Sequence, residues 1–174
     1  GGAPALPANG TLYTSIYPEL SRGAFPGEPG YDYYKSDQTS VGYEFEHEFD
    51  DTWTVRQNLR YSYIGTDTQR VQPYCPTAVC HPAGFYRHAR EFPESARAVT
   101  VDNQAVAKFS TGEFDHTALF GLDYSYESSR YEESTLAGIL TPFNAYDPNY
   151  GASTVTRPPI ATRIDQHRSQ LGIY

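Results

Sequence analysis

The sequence predicts an all-β fold, specifically an antiparallel transmembrane β-barrel segment of about four to five strands with long extracellular loops. Three observations predict it: an aromatic, turn-rich composition, alternating segments of strand length, and connections of very unequal size. The chain holds 16 Tyr and 9 Phe beside 14 Gly and 13 Pro, with no Met. Its mean hydropathy is −0.60. So many rings and turn formers in so polar a chain suit short strands and polar loops better than packed helices.

Four segments alternate with a period of two residues, at 41–49, 53–63, 99–109 and 116–126, and a fifth begins at 169–174. The four are nine or eleven residues long, which matches the roughly 9 to 11 residues a tilted strand needs to cross a bilayer. One face carries Val41, Tyr43, Phe45, His47, Phe49, Trp53, Val55, Gln57, Leu59, Tyr61 and Tyr63 in the first two segments, and none of its 23 positions over all four is charged. The 19 intervening positions hold Glu44, Glu46, Glu48, Arg56, Arg60, Asp102, Lys108 and Asp123. Charge is confined to one face, which the barrel reading turns towards a wet lumen.

The connections alternate too. Residues 50–52 and 110–115 are short, whereas 64–98 and 127–168 are long. Tight periplasmic turns and extended extracellular loops produce this asymmetry. Alternation alone fits a soluble β-sandwich equally well, because one face of such a strand packs on a core. Two further features favour the barrel. Phe49, Trp53, Tyr61, Tyr63, Phe109, Tyr124 and Tyr126 lie near strand ends, where interfacial girdles form, and loops longer than about 15 residues are uncommon in compact domains. If Phe49 and Trp53 share a face, the first turn holds an odd number of residues and Glu46 lies opposite Arg56.

Charge and motifs exclude other functions. A formal net charge of −8 disfavours nucleic acid, whose phosphates need a basic surface. No run of about 18 apolar residues forms a transmembrane helix. His47, His81, His88, His116 and His167 are scattered without ligand spacing, so no metal site is expected. Glu44 and Glu46 share a solvated strand face beside Arg56 and Arg60, and neither a phosphate loop nor a serine nucleophile accompanies them. The chain is not expected to be an enzyme. Cys75 and Cys80 lack further ligands, which favours a disulfide over a zinc site. From a different functional class comes a soluble all-β module binding carbohydrate through its Tyr-rich loops.

The stretch from Val41 through Glu44-Phe45-Glu46-His47-Glu48-Phe49-Asp50-Asp51-Thr52-Trp53 to Tyr61 resembles a barrel hairpin of TonB-dependent siderophore receptors, nearest the ferrichrome type. So does Val101-Asp102-Asn103-Gln104, running through Lys108-Phe109-Ser110-Thr111-Gly112-Glu113-Phe114-Asp115-His116 to Gly121-Leu122-Asp123-Tyr124. Leu6-Pro7-Ala8-Asn9-Gly10-Thr11, Gly27-Glu28-Pro29, Tyr146-Asp147-Pro148 and Gln170-Leu171-Gly172-Ile173-Tyr174 resemble shorter landmarks in the same order. The chain departs from the ferrichrome pattern at Ala5 and at Gln72-Pro73-Tyr74.

The resemblance implies an internal piece of a barrel of roughly 22 strands, with an N-terminal plug and the remaining strands outside these residues. It implies a bacterial outer-membrane receptor for a ferric siderophore, hydroxamate first, energised by TonB acting through the plug. Outer-membrane lipid is the surrounding partner, and phage or bacteriocins can exploit the loops. No cofactor is implied, because the siderophore's own oxygens wrap the iron. Ligand contact belongs to extracellular aromatics, with Tyr74 first, then Phe143 and Tyr146, since rings bury apolar area while Tyr hydroxyls bond siderophore oxygens.

Overall fold

The structure is a computed structural model that describes residues 10–13, 17–74, 81–135 and 137–174. Cys75 and Cys80, the expected disulfide, lie outside the described residues. Seven strands follow in order: β1 (Tyr33–Glu48), β2 (Trp53–Tyr74), β3 (Phe85–Glu91), β4 (Glu94–Thr111), β5 (Phe114–Ser134), β6 (Ala137–Phe143) and β7 (Ile160–Ile173). They form one sheet of order β6-β3-β2-β4-β5-β7, with β1 also paired to β2. The described residues contain no helix, and the sheet is not closed into a barrel.

The expected strands are all present, but most are longer. β1 starts at Tyr33 rather than Val41, β2 runs on to Tyr74, and β7 starts at Ile160 rather than near Ser169. Segments 64–98 and 127–168, read as loops, therefore supply strand residues and two additional strands, β3 and β6. The physical reason lies in what marked the strands. Confinement of charge to one face signals a strand whose other face meets an apolar medium; past that medium both faces carry polar groups, and cross-strand pairs hold the sheet instead. Glu132 with Arg163 at 2.5 Å is one such pair.

The chain divides into two compact units. The first comprises Asp37–Gly65, Ser95–Arg130 and Asp165–Tyr174. Here Phe49 N donates to Trp53 O at 2.9 Å and Arg56 Nε to Glu46 Oε2 at 2.5 Å, as the expected register requires. Asp50 closes the intervening turn, its Oδ1 accepting from Thr52 N and Trp53 N, each at 2.8 Å. The second turn is tighter than expected. β4 and β5 are separated only by Gly112 and Glu113, because Gly112 takes a φ of +65° that suits the first position of a two-residue hairpin turn.

The uncharged face of this unit carries polar groups that satisfy one another. Tyr43 Oη donates to Gln57 Oε1, Gln57 Nε2 to Asn103 Oδ1 at 2.6 Å, and Asn103 Nδ2 to Leu122 O at 3.4 Å. His47 lies between Phe45 and Phe49, with ring centroids 6.3 Å and 4.6 Å away. His116 sits 5.1 Å from the Phe109 ring. These histidines are members of aromatic clusters, and no group of metal ligands occurs among the described residues.

The second unit comprises Gly1–Ser36, Thr66–Glu94 and Tyr131–Ile164. It has its own core. Leu20, Phe85, Phe143 and Ala145 form one cluster, while Val71, Ala89 and Leu140 form another, covered by Tyr31 and Val155. Pro142 falls in β6, an edge strand of the sheet, where a missing N–H is tolerated.

Candidate functional site

In the second unit, β2 and β3 make an antiparallel ribbon in which Arg70 faces Arg90, Gln72 faces His88 and Tyr74 faces Tyr86. Residues directly opposite share a face, and alternate residues share it along each strand. The intervening residues Val71 and Ala89 turn the other way, into the core. The ribbon thus separates a core-packed face from one built of two guanidiniums, an imidazole, an amide and two phenols.

Two arginines directly opposite would ordinarily repel. The Phe92 ring lies beneath both, with Arg70 Cζ 4.5 Å and Arg90 Cζ 5.0 Å from its centroid, and its negative π face offsets part of the repulsion. Glu133 pairs with Arg90. Arg70 has no ion-pair partner among the described residues.

His88 is 6% exposed, and the Tyr74 ring meets it edge-on at 5.5 Å. Burial pushes its pKa below the usual imidazole value, and the Arg90 and Arg70 charges push it the same way. The ring is therefore neutral near pH 7. Gln72 Nε2 lies 2.8 Å from His88 Nε2; with the amide in this orientation its NH₂ donates, His88 Nε2 accepts and the ring proton resides on Nδ1. Among the described residues, His88 Nδ1, Arg70 Nε and Arg90 Nε are buried and lack hydrogen-bond partners. Buried donors left unpaired are costly, and each of these three lacks the oxygen acceptor that would satisfy it.

The apolar side of the ribbon holds this face in place. Arg87 is fully buried and donates to Pro26 O, Gly27 O and Glu28 Oε2 at 3.2, 2.7 and 3.1 Å, with its Cζ 4.1 Å over the Phe143 ring. Asp32 Oδ1 accepts from Glu28 N and Val71 N, each at 2.9 Å; burial raises its pKa against the pull of those donors. Glu91 accepts from Arg157 Nε at 2.7 Å and Tyr31 Oη at 3.2 Å. Burial first, then the Glu91 charge, raises the Tyr31 phenol.

The structure distributes the expected contact residues unequally. Tyr74 lies on the donor face. Phe143 is 3% exposed and packs on Phe85 with ring centroids 5.5 Å apart. Tyr146 is partly exposed, with its hydroxyl donating to Pro18 O at 2.6 Å. Arg70, Tyr86, His88 and Arg90 were not anticipated. The signal was a second alternation, Tyr86-His88-Arg90 against Arg70-Gln72-Tyr74, in a segment read as loop.

The charged residues lie elsewhere, in the first unit. Glu46 pairs with Arg56; Glu44, Arg60, Asp102 and Asp123 line one cavity. Asp102 accepts from Gln104 Nε2 and Tyr174 Oη, each at 2.8 Å. Glu48 and Lys108 are exposed.

Residues 2–174 match the family model for the TonB dependent receptor-like β-barrel. The chain belongs to that family of bacterial outer-membrane receptors. Its similarity to the ferrioxamine receptor of Yersinia enterocolitica is 33% identity, over 98% of this chain and 24% of that receptor. To the ferrichrome outer membrane transporter/phage receptor of Escherichia coli K12 it is 38% identical, over 81% of this chain and 22% of that protein. The chain thus spans about a quarter of the length of the curated relatives it matches. The closed form of the ferric-catecholate import receptor Fiu from E. coli K12 superposes with a TM-score of 0.68 at 19% identity, covering 98% of this chain and 25% of that one; this likeness is one of fold. These relatives are transport receptors rather than enzymes, and membership of a TonB-dependent barrel family sets aside the soluble carbohydrate-binding alternative.

Proposed function

We propose that this TonB-dependent barrel segment forms part of a receptor that captures a ferric siderophore, of hydroxamate type, and imports it with energy delivered by TonB. The donor face of Arg70, His88 and Arg90, bracketed by Tyr74 and Tyr86, is the observation that carries the reading. A wrapped ferric complex presents oxygen acceptors and apolar edges, which such a face receives with hydrogen bonds and ring contacts. The iron stays with its own chelator, so the chain needs no metal site or cofactor. The ferrioxamine and ferrichrome receptors among its relatives support the hydroxamate class.

In this reading the uncharged face of the first unit meets outer-membrane lipid, and Glu44, Glu46, Glu48, Arg56, Arg60, Asp102, Lys108 and Asp123 face the lumen and plug. A plug domain outside these residues takes the TonB contact. Phage and bacteriocins are further partners of the extracellular surface. The test is uptake of radiolabelled ferric hydroxamates by iron-starved cells with and without the intact gene, each with and without TonB. Uptake should require both. Unchanged uptake after deletion, in a strain without a redundant receptor, would refute the assignment.

A further inference from the structure

The donor face also bears on which ferric complex the receptor takes, an inference that rests on the siderophore reading above. Arg70 and Arg90 lie opposite one another, with Glu133 the one carboxylate paired to them among the described residues. The acid on β3, Glu91, is engaged by Arg157 and Tyr31. The face is therefore left with an excess positive charge. Its three unpartnered atoms, Arg70 Nε, Arg90 Nε and His88 Nδ1, are all donors. We propose that this face is an anion subsite, selecting ferric hydroxamates that carry a negatively charged group such as a free carboxylate over those that carry a pendant ammonium.

The neutral state of His88 fits this role. A neutral imidazole with its proton on Nδ1 adds a directed donor without a third positive charge beside the arginines, so the face stays assembled before ligand arrives. A carboxylate would accept from the guanidiniums with charge-assisted geometry. An ammonium would meet repulsion from Arg70 and bring only more donors to a face already rich in them.

The test uses the full-length receptor in outer-membrane preparations and one linear ferric trihydroxamate in three forms: terminal amine free, acetylated or succinylated. Binding of radiolabelled iron is measured without energisation, so the plug and TonB do not enter. The succinylated complex should bind at least about tenfold more tightly than the free amine, with the acetylated form between, because the roughly single positive charge left after Glu133 pairs with Arg90 acts on a change of about two charge units at an effective dielectric near 20. The preference should shrink as salt is raised. Replacing both arginines with Gln should remove the preference, and replacing both with Lys should retain most of it. Equal binding of the three forms by the wild-type receptor, or preference for the amine, overturns the anion subsite while leaving the siderophore assignment standing. Binding of none of them sinks both.

Discussion

The buried pair of Arg87 and Glu28 offers the sharpest test of how the second unit is held together. Replacing Arg87 with Met keeps an apolar stem beside Phe143 but removes three hydrogen bonds, to Pro26 O, Gly27 O and Glu28 Oε2. It also removes the cation from over the Phe143 ring. Glu28 is 6% exposed, and its carboxylate keeps only the Gly151 N–H, at 2.7 Å, as a described partner. Stranding one member of a buried pair costs about 3 to 5 kcal/mol. Local opening of the unit should become easier by roughly a hundred- to several-thousand-fold.

Hydrogen exchange of the β3 amides in the reconstituted receptor reads this directly. The double change Arg87→Met with Glu28→Gln should exchange more slowly than Arg87→Met alone, because the stranded charge is gone. By contrast Arg56→Gln, breaking a pair whose side chains are 46% and 50% exposed, should cost about 0 to 1 kcal/mol. Unchanged β3 exchange in Arg87→Met, or simple additivity in the double variant, would refute the reasoning.

His88 has a lowered pKa through burial and its two arginine neighbours, so between that value and about 6.5 the unfolded segment binds a proton that the folded one does not. Stability of the second unit should therefore fall as pH drops through that window, seen as faster β3 exchange, and His88→Gln should abolish the dependence. Phe143→Ala should destabilise the same unit by about 3 to 5 kcal/mol, raising its susceptibility to protease, whereas Tyr74→Ala should leave protease resistance intact and weaken siderophore binding by about 1 to 3 kcal/mol. Gly112→Ala, with open space around the Cβ but a φ of +65°, should lower refolding stability into micelles by about 1 to 2 kcal/mol from backbone strain alone.

The alternating parts of β1, β2, β4 and β5 were legible because charge is confined to one face, as Glu44-Phe45-Glu46-His47-Glu48-Phe49 shows residue by residue. Their extensions were not. In Thr66-Asp67-Thr68-Gln69-Arg70 both faces are polar, and what holds the strand is a partner distant in sequence: Phe92 N donates to Thr68 O at 2.9 Å. The donor face was hidden for the same reason, since Arg70 and Arg90 become neighbours only once that register is known. Tyr74 stood out as a tyrosine before the loop cysteine, and the rule that chose it also chose Phe143. An aromatic residue serves a core or a ligand equally well, and only burial separates the two.

The chain of Tyr43, Gln57 and Asn103 across three strands has a consequence for assembly. Alternation tells a strand which parity to present, but it accepts a slip of two residues as readily as the native alignment. In hydrocarbon such a slip would strand a phenol and two amides, each at a cost of roughly 4 to 8 kcal/mol. On the proposed reading, in which this face meets lipid, these polar residues serve as an alignment key that the bilayer enforces.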